Sequence, residues 1–178
     1  MAANKEENEA PRFAIFRAKE AVPESEMMLM DFAGASPVAV EGGQRAVEAG
    51  VREGSELKQL FAIPGFSLVY VWFKSGYPLP RHSHNVDCLY YIVGGSLKLG
   101  HEELGVGDGF FVGGDVPYTY TAGPAGVEVL EFRASNAFDI KVLANNSAFW
   151  NRAVDTARSH RNGWRTEPRP SPVMRSAS

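Results

Sequence analysis

The chain has 178 residues, 44% of them apolar, and a formal net charge of -3. That length fits one domain with spare chain at its ends and a core that needs no disulfide, and the near-neutral balance speaks against nucleic acid or an anionic membrane as a global partner. Cys88 is the one cysteine, which excludes an intramolecular disulfide and a Cys-rich zinc site.

Residues 1–12 are polar and acidic, offer almost nothing to bury, and are expected to form a disordered leader. They lack the basic and apolar stretches of a secretory signal, and no apolar run reaches the length of a membrane span. With a lone thiol, this reads as a cytoplasmic protein without a membrane partner. Residues 13–145 form the predicted β domain. FAIFRAKEAV and EMMLMDFAG supply a short strand, a turn at Pro23, and a second strand or helical turn. From 37 to 143, the runs SPVAVEGG, SELKQLFAIPG, FSLVYVWFKSG, DCLYYIVGGSLKLG, GFFVGGDVPYTYTAG and GVEVLEFRA are rich in Val, Tyr, Phe and Leu and are broken by Gly, Pro, Asp and Asn. Many short strands so punctuated predict an all-β sandwich or barrel, and no helix-length pattern between them suggests a parallel sheet.

Residues 146–162 change period. Phe149, Trp150, Ala153, Val154 and Ala157 recur at helical spacing behind a capping Ser147, which predicts one C-terminal amphipathic helix. Residues 163–178 are Pro- and Ser-rich and are expected to be a loose tail; the arginines from Arg152 onward read as a solvated face.

In GYPLPRHSHNVDCLYYIVGG, His82 and His84 flank one residue and so point to the same face of a strand, where two neutral imidazoles can meet one divalent metal. Arg81 points the other way, and Asp87 has the opposite parity to Cys88. Leu68, Tyr70 and Trp72 share a face, Tyr90 and Ile92 share the parity of Cys88, and Tyr118 and Tyr120 share another. If these face the histidines, they line a pocket that is aromatic with a few hydroxyls; if not, they fill a small barrel. Phe132, Arg133 and Asn136 would rim its mouth. His101 sits in a GHEE hairpin turn and His160 in the helix. No G-x-S-x-G elbow, phosphate loop or H-E-x-x-H motif is present.

The spacing resembles the cupin superfamily. The first motif of that family, G-x5-H-x-H-x3-E-x6-G, is matched by Gly76, His82, His84 and Gly95, with Cys88 at the glutamate position. The second, G-x5-P-x-G-x2-H-x3-N, is matched at Gly107, with Gly113, Asp115 and Tyr118 at the proline, glycine and histidine positions. The resemblance implies an RmlC-like, double-stranded β-helix or jelly-roll barrel, often dimeric. It also implies a metal (Fe, Zn, Ni, Cu or Mn) on His82 and His84, with Cys88 and Tyr118 either as replacement ligands or as packing residues. Thiol dioxygenases resemble cupins with a Cys at the same position, but they keep a third histidine that has no counterpart here. The expected function is a metal-dependent enzyme on a small organic molecule, of oxygenase, isomerase or lyase type. Tyr118 and Tyr120 would be acid, base or oxyanion donors, and Trp72, Tyr90 and Phe132 would touch substrate. The alternative is a non-catalytic ligand-binding or sensing barrel with weak metal or none.

Overall fold

A computed structural model describes residues 10–171. The elements in chain order are β1 (Val22–Pro23), β2 (Met30–Ala35), α1 (Pro37–Glu48), β3 (Ser55–Ile63), β4 (Phe66–Phe73) and β5 (His82–Ser83). They continue with β6 (Cys88–Leu99), β7 (Glu102–Gly105), β8 (Gly109–Val112), β9 (Thr121–Arg133), β10 (Phe138–Val142) and α2 (Ser147–Thr166). Three short 3-10 turns join the early segments.

One sheet runs β1-β3-β4-β9-β6-β7, with β8 also on β6; the smaller sheet runs β2-β10-β5. All pairings in the larger sheet are antiparallel, and β2 with β10 is the parallel pair. This two-sheet arrangement is the jelly-roll barrel architecture that the motif spacing implies, with its core between the sheets. Val69, Val71 and Phe73 of β4, Ile92 and Leu97 of β6, and Val127 and Val129 of β9 meet Phe138 of the smaller sheet there. Gly95 shows why the first motif ends in glycine: its φ is +68°, and a Cβ would strike the main chain of Gly126 on β9.

Three expectations are corrected. SPVAVEGG opens a helix, not a strand. Ser36 caps it by accepting from the Ala39 amide (3.2 Å), Pro37 starts it, and Val38 and Val40 face outward. The β-branched residues suggested a strand, but the small residues Ala39, Gly42 and Ala46 do the packing, at helical spacing, against α2. The second correction concerns α2. Asn146, not Ser147, caps it, accepting from the Phe149 amide at 2.8 Å. The helix also runs past Gly163 to Thr166, because Trp164 is fully buried and donates from Nε1 to the Ser75 carbonyl at 2.9 Å.

Third, residues 167–171 are not loose. Glu167 accepts from the Ser75 amide and hydroxyl at 2.8 and 2.6 Å, and Arg169 pairs with Glu56 and donates to the Tyr70 hydroxyl. The Ser171 amide donates to Glu128 at 2.6 Å. The first nine residues and the last seven, which hold most of the expected leader and the end of the expected tail, lie outside the described residues. No helix among the described residues is long and apolar enough to cross a membrane.

The α1–α2 seam is testable. A Cβ at Gly42 would overlap the Trp150 ring, whereas one at Gly43 would sit 3.9 Å from it. Gly42→Ala is expected to destabilise by about 1–3 kcal/mol through overpacking. Gly43→Ala should be neutral or stabilising by up to ~1 kcal/mol through helix propensity. Urea unfolding of the two variants measures both effects.

Candidate ligand and metal site

The histidine strand is two residues long and is held from both sides. His82 and Ser83 pair with Val142 and Lys141 of β10. On its other edge, His82 exchanges main-chain hydrogen bonds with Tyr118, at 3.0 and 2.9 Å. Just beyond, Asn85 and Asp139 exchange two bonds of 2.9 Å, each main-chain amide donating to the other's side-chain oxygen. This clamp fixes the Asp139 carbonyl beside His84. Both imidazoles line the barrel cavity, with ring centres 5.2 Å apart.

Their tautomers follow from their partners. His82 Nδ1 lies 2.8 Å from the Pro80 carbonyl, and His84 Nδ1 is hydrogen-bonded to the Asp139 carbonyl. A carbonyl only accepts, so each Nδ1 carries the proton and each Nε2 keeps its lone pair. Burial holds both rings neutral: it lowers the His82 pKa, and burial followed by the Arg133 charge lowers that of His84 to about 4.

The cavity has a volume of about 170 Å³ and a mainly apolar wall that includes Val69, Val71, Phe73 and Phe138. Tyr118, Tyr120, Glu131 and Arg133 complete it. A larger hollow of about 570 Å³ lies between α1 and α2, lined by Arg45, Glu48, Arg158 and Arg161 among others. It is an open, charged surface groove without His, Cys or Tyr, so the barrel interior is the better candidate site.

Glu131 and Arg133 are the residues that sequence reasoning missed or misplaced. Arg133 was expected at the rim but is 2% exposed, and its Nη2 lies 2.7 Å from Glu131 Oε2. Its guanidinium sits 4.1 Å over the Phe138 ring centre. Burial opposes its charge, but Glu131 more than offsets that and raises its pKa. The available signal was parity, since Glu131 and Arg133 continue the face of Val127 and Val129.

The same parity removes two expected substrate contacts. Trp72 and Phe132 lie on the other face of the sheet. Trp72 packs there with Tyr70 under the Lys74 and Arg169 cations, and Phe132 pairs in register with Leu68 and Leu89. Tyr90 does face inward, and its hydroxyl is hydrogen-bonded to that of Tyr118. Tyr120 is buried beside them against Phe110. Burial, reinforced by Glu131, raises the pKa of Tyr90, Tyr118 and Tyr120. These phenols therefore stay protonated near neutrality and suit hydrogen-bond donation rather than general-base work. Asp87 is a turn residue that accepts from the Gly114 amide at 2.8 Å, and Arg81 is exposed.

The donor set falls short of a cupin metal centre. Two imidazole Nε2 atoms are free, and their Nδ1–H bonds to carbonyls are what a metal-binding histidine has. Among the described residues, however, no three His, Cys, Asp or Glu side chains come together as a ligand set. Glu131 is committed to Arg133. Cys88 stands directly across from Arg133 in a neighbouring recess, where burial pushes its thiol up to about 12. The Tyr118 hydroxyl is tied to Tyr90. The residues present form half a metal site.

No protein-family model and no curated protein matches the chain. Several solved structures do resemble it. KdgF from Halomonas sp. is 23% identical over 46% of this chain and 79% of its own, with a TM-score of 0.42. An RmlC-like cupin from Shewanella frigidimarina is 24% identical over 46% and 76%, with a TM-score of 0.42. The polyketide cyclase RemF from Streptomyces resistomycificus is 17% identical over 60% and 82%, with a TM-score of 0.49.

The neutral His84 has a signature in stability. An unfolded imidazole takes up its proton near pH 6.5, the folded one near 4, so the unfolded chain binds more protons in between. Stability of the metal-free protein is therefore full above pH 6.5 and is lost as pH falls through that window, by on the order of 3 kcal/mol at most. In His84→Gln, the difference between urea unfolding free energies at pH 7 and pH 4.5 should shrink. An unchanged difference would mean that His84 is not held neutral.

Proposed function

We propose that the protein binds a small organic molecule inside the barrel, with His82 and His84 presenting their Nε2 lone pairs to it. The observation that carries this reading is the pinned, inward-facing imidazole pair at the wall of a largely apolar cavity. The volume bounds the ligand: an apolar protein cavity of roughly 150 Å³ takes one benzene molecule. The site thus suits a molecule of about one ring or a short chain. Tyr118 can donate to an oxygen of that ligand while its partner Tyr90 holds the phenol in place. The hydroxyls and imidazoles give orientation, and the apolar wall gives contact area.

A metal-dependent enzyme on the same imidazoles is the second reading, favoured by the Nδ1–H bonds that leave both Nε2 atoms free. In it, further metal ligands come from the organic molecule or from water, because the described residues supply two. Such a site holds metal weakly until the ligand is present. A barrel that binds without turnover needs no metal. A homodimer is the expected assembly for either.

The two readings separate on metal retention. Untagged protein is dialysed against Fe, Zn, Ni, Cu or Mn, desalted, and measured by elemental analysis, beside His82→Ala/His84→Ala. The expected result is little metal in either protein. Near-stoichiometric metal kept by the wild type and lost in the variant would overturn the first reading in favour of a metalloenzyme. In parallel, one-ring fragments are expected to shift the imidazole NMR signals of His82 and His84. A broad fragment set that shifts neither would count against a ligand site in the barrel.

A further inference from the structure

Within the site just proposed, and resting on that reading, we infer that Arg133 selects the ligand class: a small monocarboxylate whose apolar body lies along the β4 wall. Arg133 is 2% exposed and borders the cavity. Its Nη2 meets Glu131, but Nε and Nη1 have no hydrogen-bond partner among the described residues. A guanidinium does not lose its proton, so these two groups remain donors under all ordinary conditions. Buried donors without acceptors are costly, and an ion pair inside an apolar barrel is weak evidence of a stabilising role in itself. The arrangement is that of a binding group waiting for an acceptor.

The remaining surroundings narrow what that acceptor is. Among the described residues that line the cavity, Arg133 is the one arginine or lysine, beside the carboxylates Glu24 and Glu131. The imidazoles bond through Nδ1 to carbonyls and turn Nε2 to the cavity, and the tyrosines turn hydroxyls to it. Charge-assisted hydrogen bonds are stronger than neutral ones, which makes a carboxylate the best partner for its free N–H groups. Glu131 shares the same guanidinium and repels a second anion, so the preference for one carboxylate is modest and a dicarboxylate is disfavoured. Val69, Val71 and Phe73 offer no polar contact, so the rest of the molecule is apolar or carries a hydroxyl toward His82 and His84.

The test pairs acids with their amides, which match in size and differ in charge. Benzoate, butyrate and pyruvate are titrated beside benzamide, butyramide and pyruvamide by calorimetry, into wild type and into Arg133→Met/Glu131→Gln. The double change removes both charges, since removing one would strand the other in the barrel. At least one acid should bind the wild type about tenfold or more tightly than its amide. The double variant should bring that ratio to about one while still binding the amide. The Arg133 Nε–H resonance of the wild type should move with the acid and not with the amide, a readout that holds even if the variant does not fold. Equal binding of acid and amide by the wild type would overturn the carboxylate class and leave the barrel reading standing. So would a ratio that survives in the double variant. No binding by either series, with no change at His82 and His84, would remove both readings.

Discussion

Glu131 and Arg133 stand at i and i+2 on the inner face of β9, so a complete ion pair lies inside the barrel wall. Strand geometry alone puts them on the same side as Val127 and Val129, and between β4 and β6 both are buried, Arg133 to 2% and Glu131 to 9% exposure. Taking one partner away would leave an unpaired charge in a low-dielectric interior, a change that typically costs about 3–5 kcal/mol. The groups nearby respond to this pair. Arg133 helps to keep His84 neutral, and Glu131 helps to keep three tyrosines protonated.

The histidine pair is held by backbone more than by side chains. Carbonyl groups of Pro80 and Asp139 take both Nδ1 protons, and β10 and Tyr118 fix the short strand that carries the rings. The result is a rigid pair of acceptors in a barrel where Cys88 and Tyr118 stand at the other two ligand positions of the motif that the sequence resembles. Neither is offered as an anion. The thiol is buried in a separate recess and the phenol is engaged with another phenol. The same barrel geometry that would gather four metal ligands here gathers two imidazoles, two hydroxyls and a guanidinium. That is a set better suited to recognising an organic ligand directly.

The outer face of the larger sheet has its own polar core. Glu128 is fully buried there, accepting from the Tyr70 hydroxyl at 2.5 Å and from the Ser171 amide. Arg169 lies over Trp72 and reaches both Tyr70 and Glu56. The segment after α2 therefore covers the back of β4 and β9, the strands whose front faces form the cavity wall. With β4 covered on both sides, its position is fixed from behind by the chain end and from within by the core.

Local chemistry in the sequence determined a good deal: the β-rich barrel, the common face of His82 and His84, the glycine position at Gly95, and the amphipathic start of α2. Each depends on spacing within one segment, and spacing survives without a structure. What tertiary structure decided was which face of each strand looks inward. Alternation assigns Trp72 and Val71 to opposite sides, but β4 is apolar on both and nearly all of it is buried, so no polar face marks the outside. Trp72 and Phe132 were thus expected to touch substrate and lie on the outer face, while Arg133, expected with Phe132 at the rim, lies inside paired with Glu131. The helix at Pro37–Glu48 and the ordered stretch after Thr166 were hidden for a related reason. Small residues in the one and a Pro-rich run in the other gain their order from Trp150 on α2 and from Glu128 and Glu56 on the sheet, partners far away in sequence.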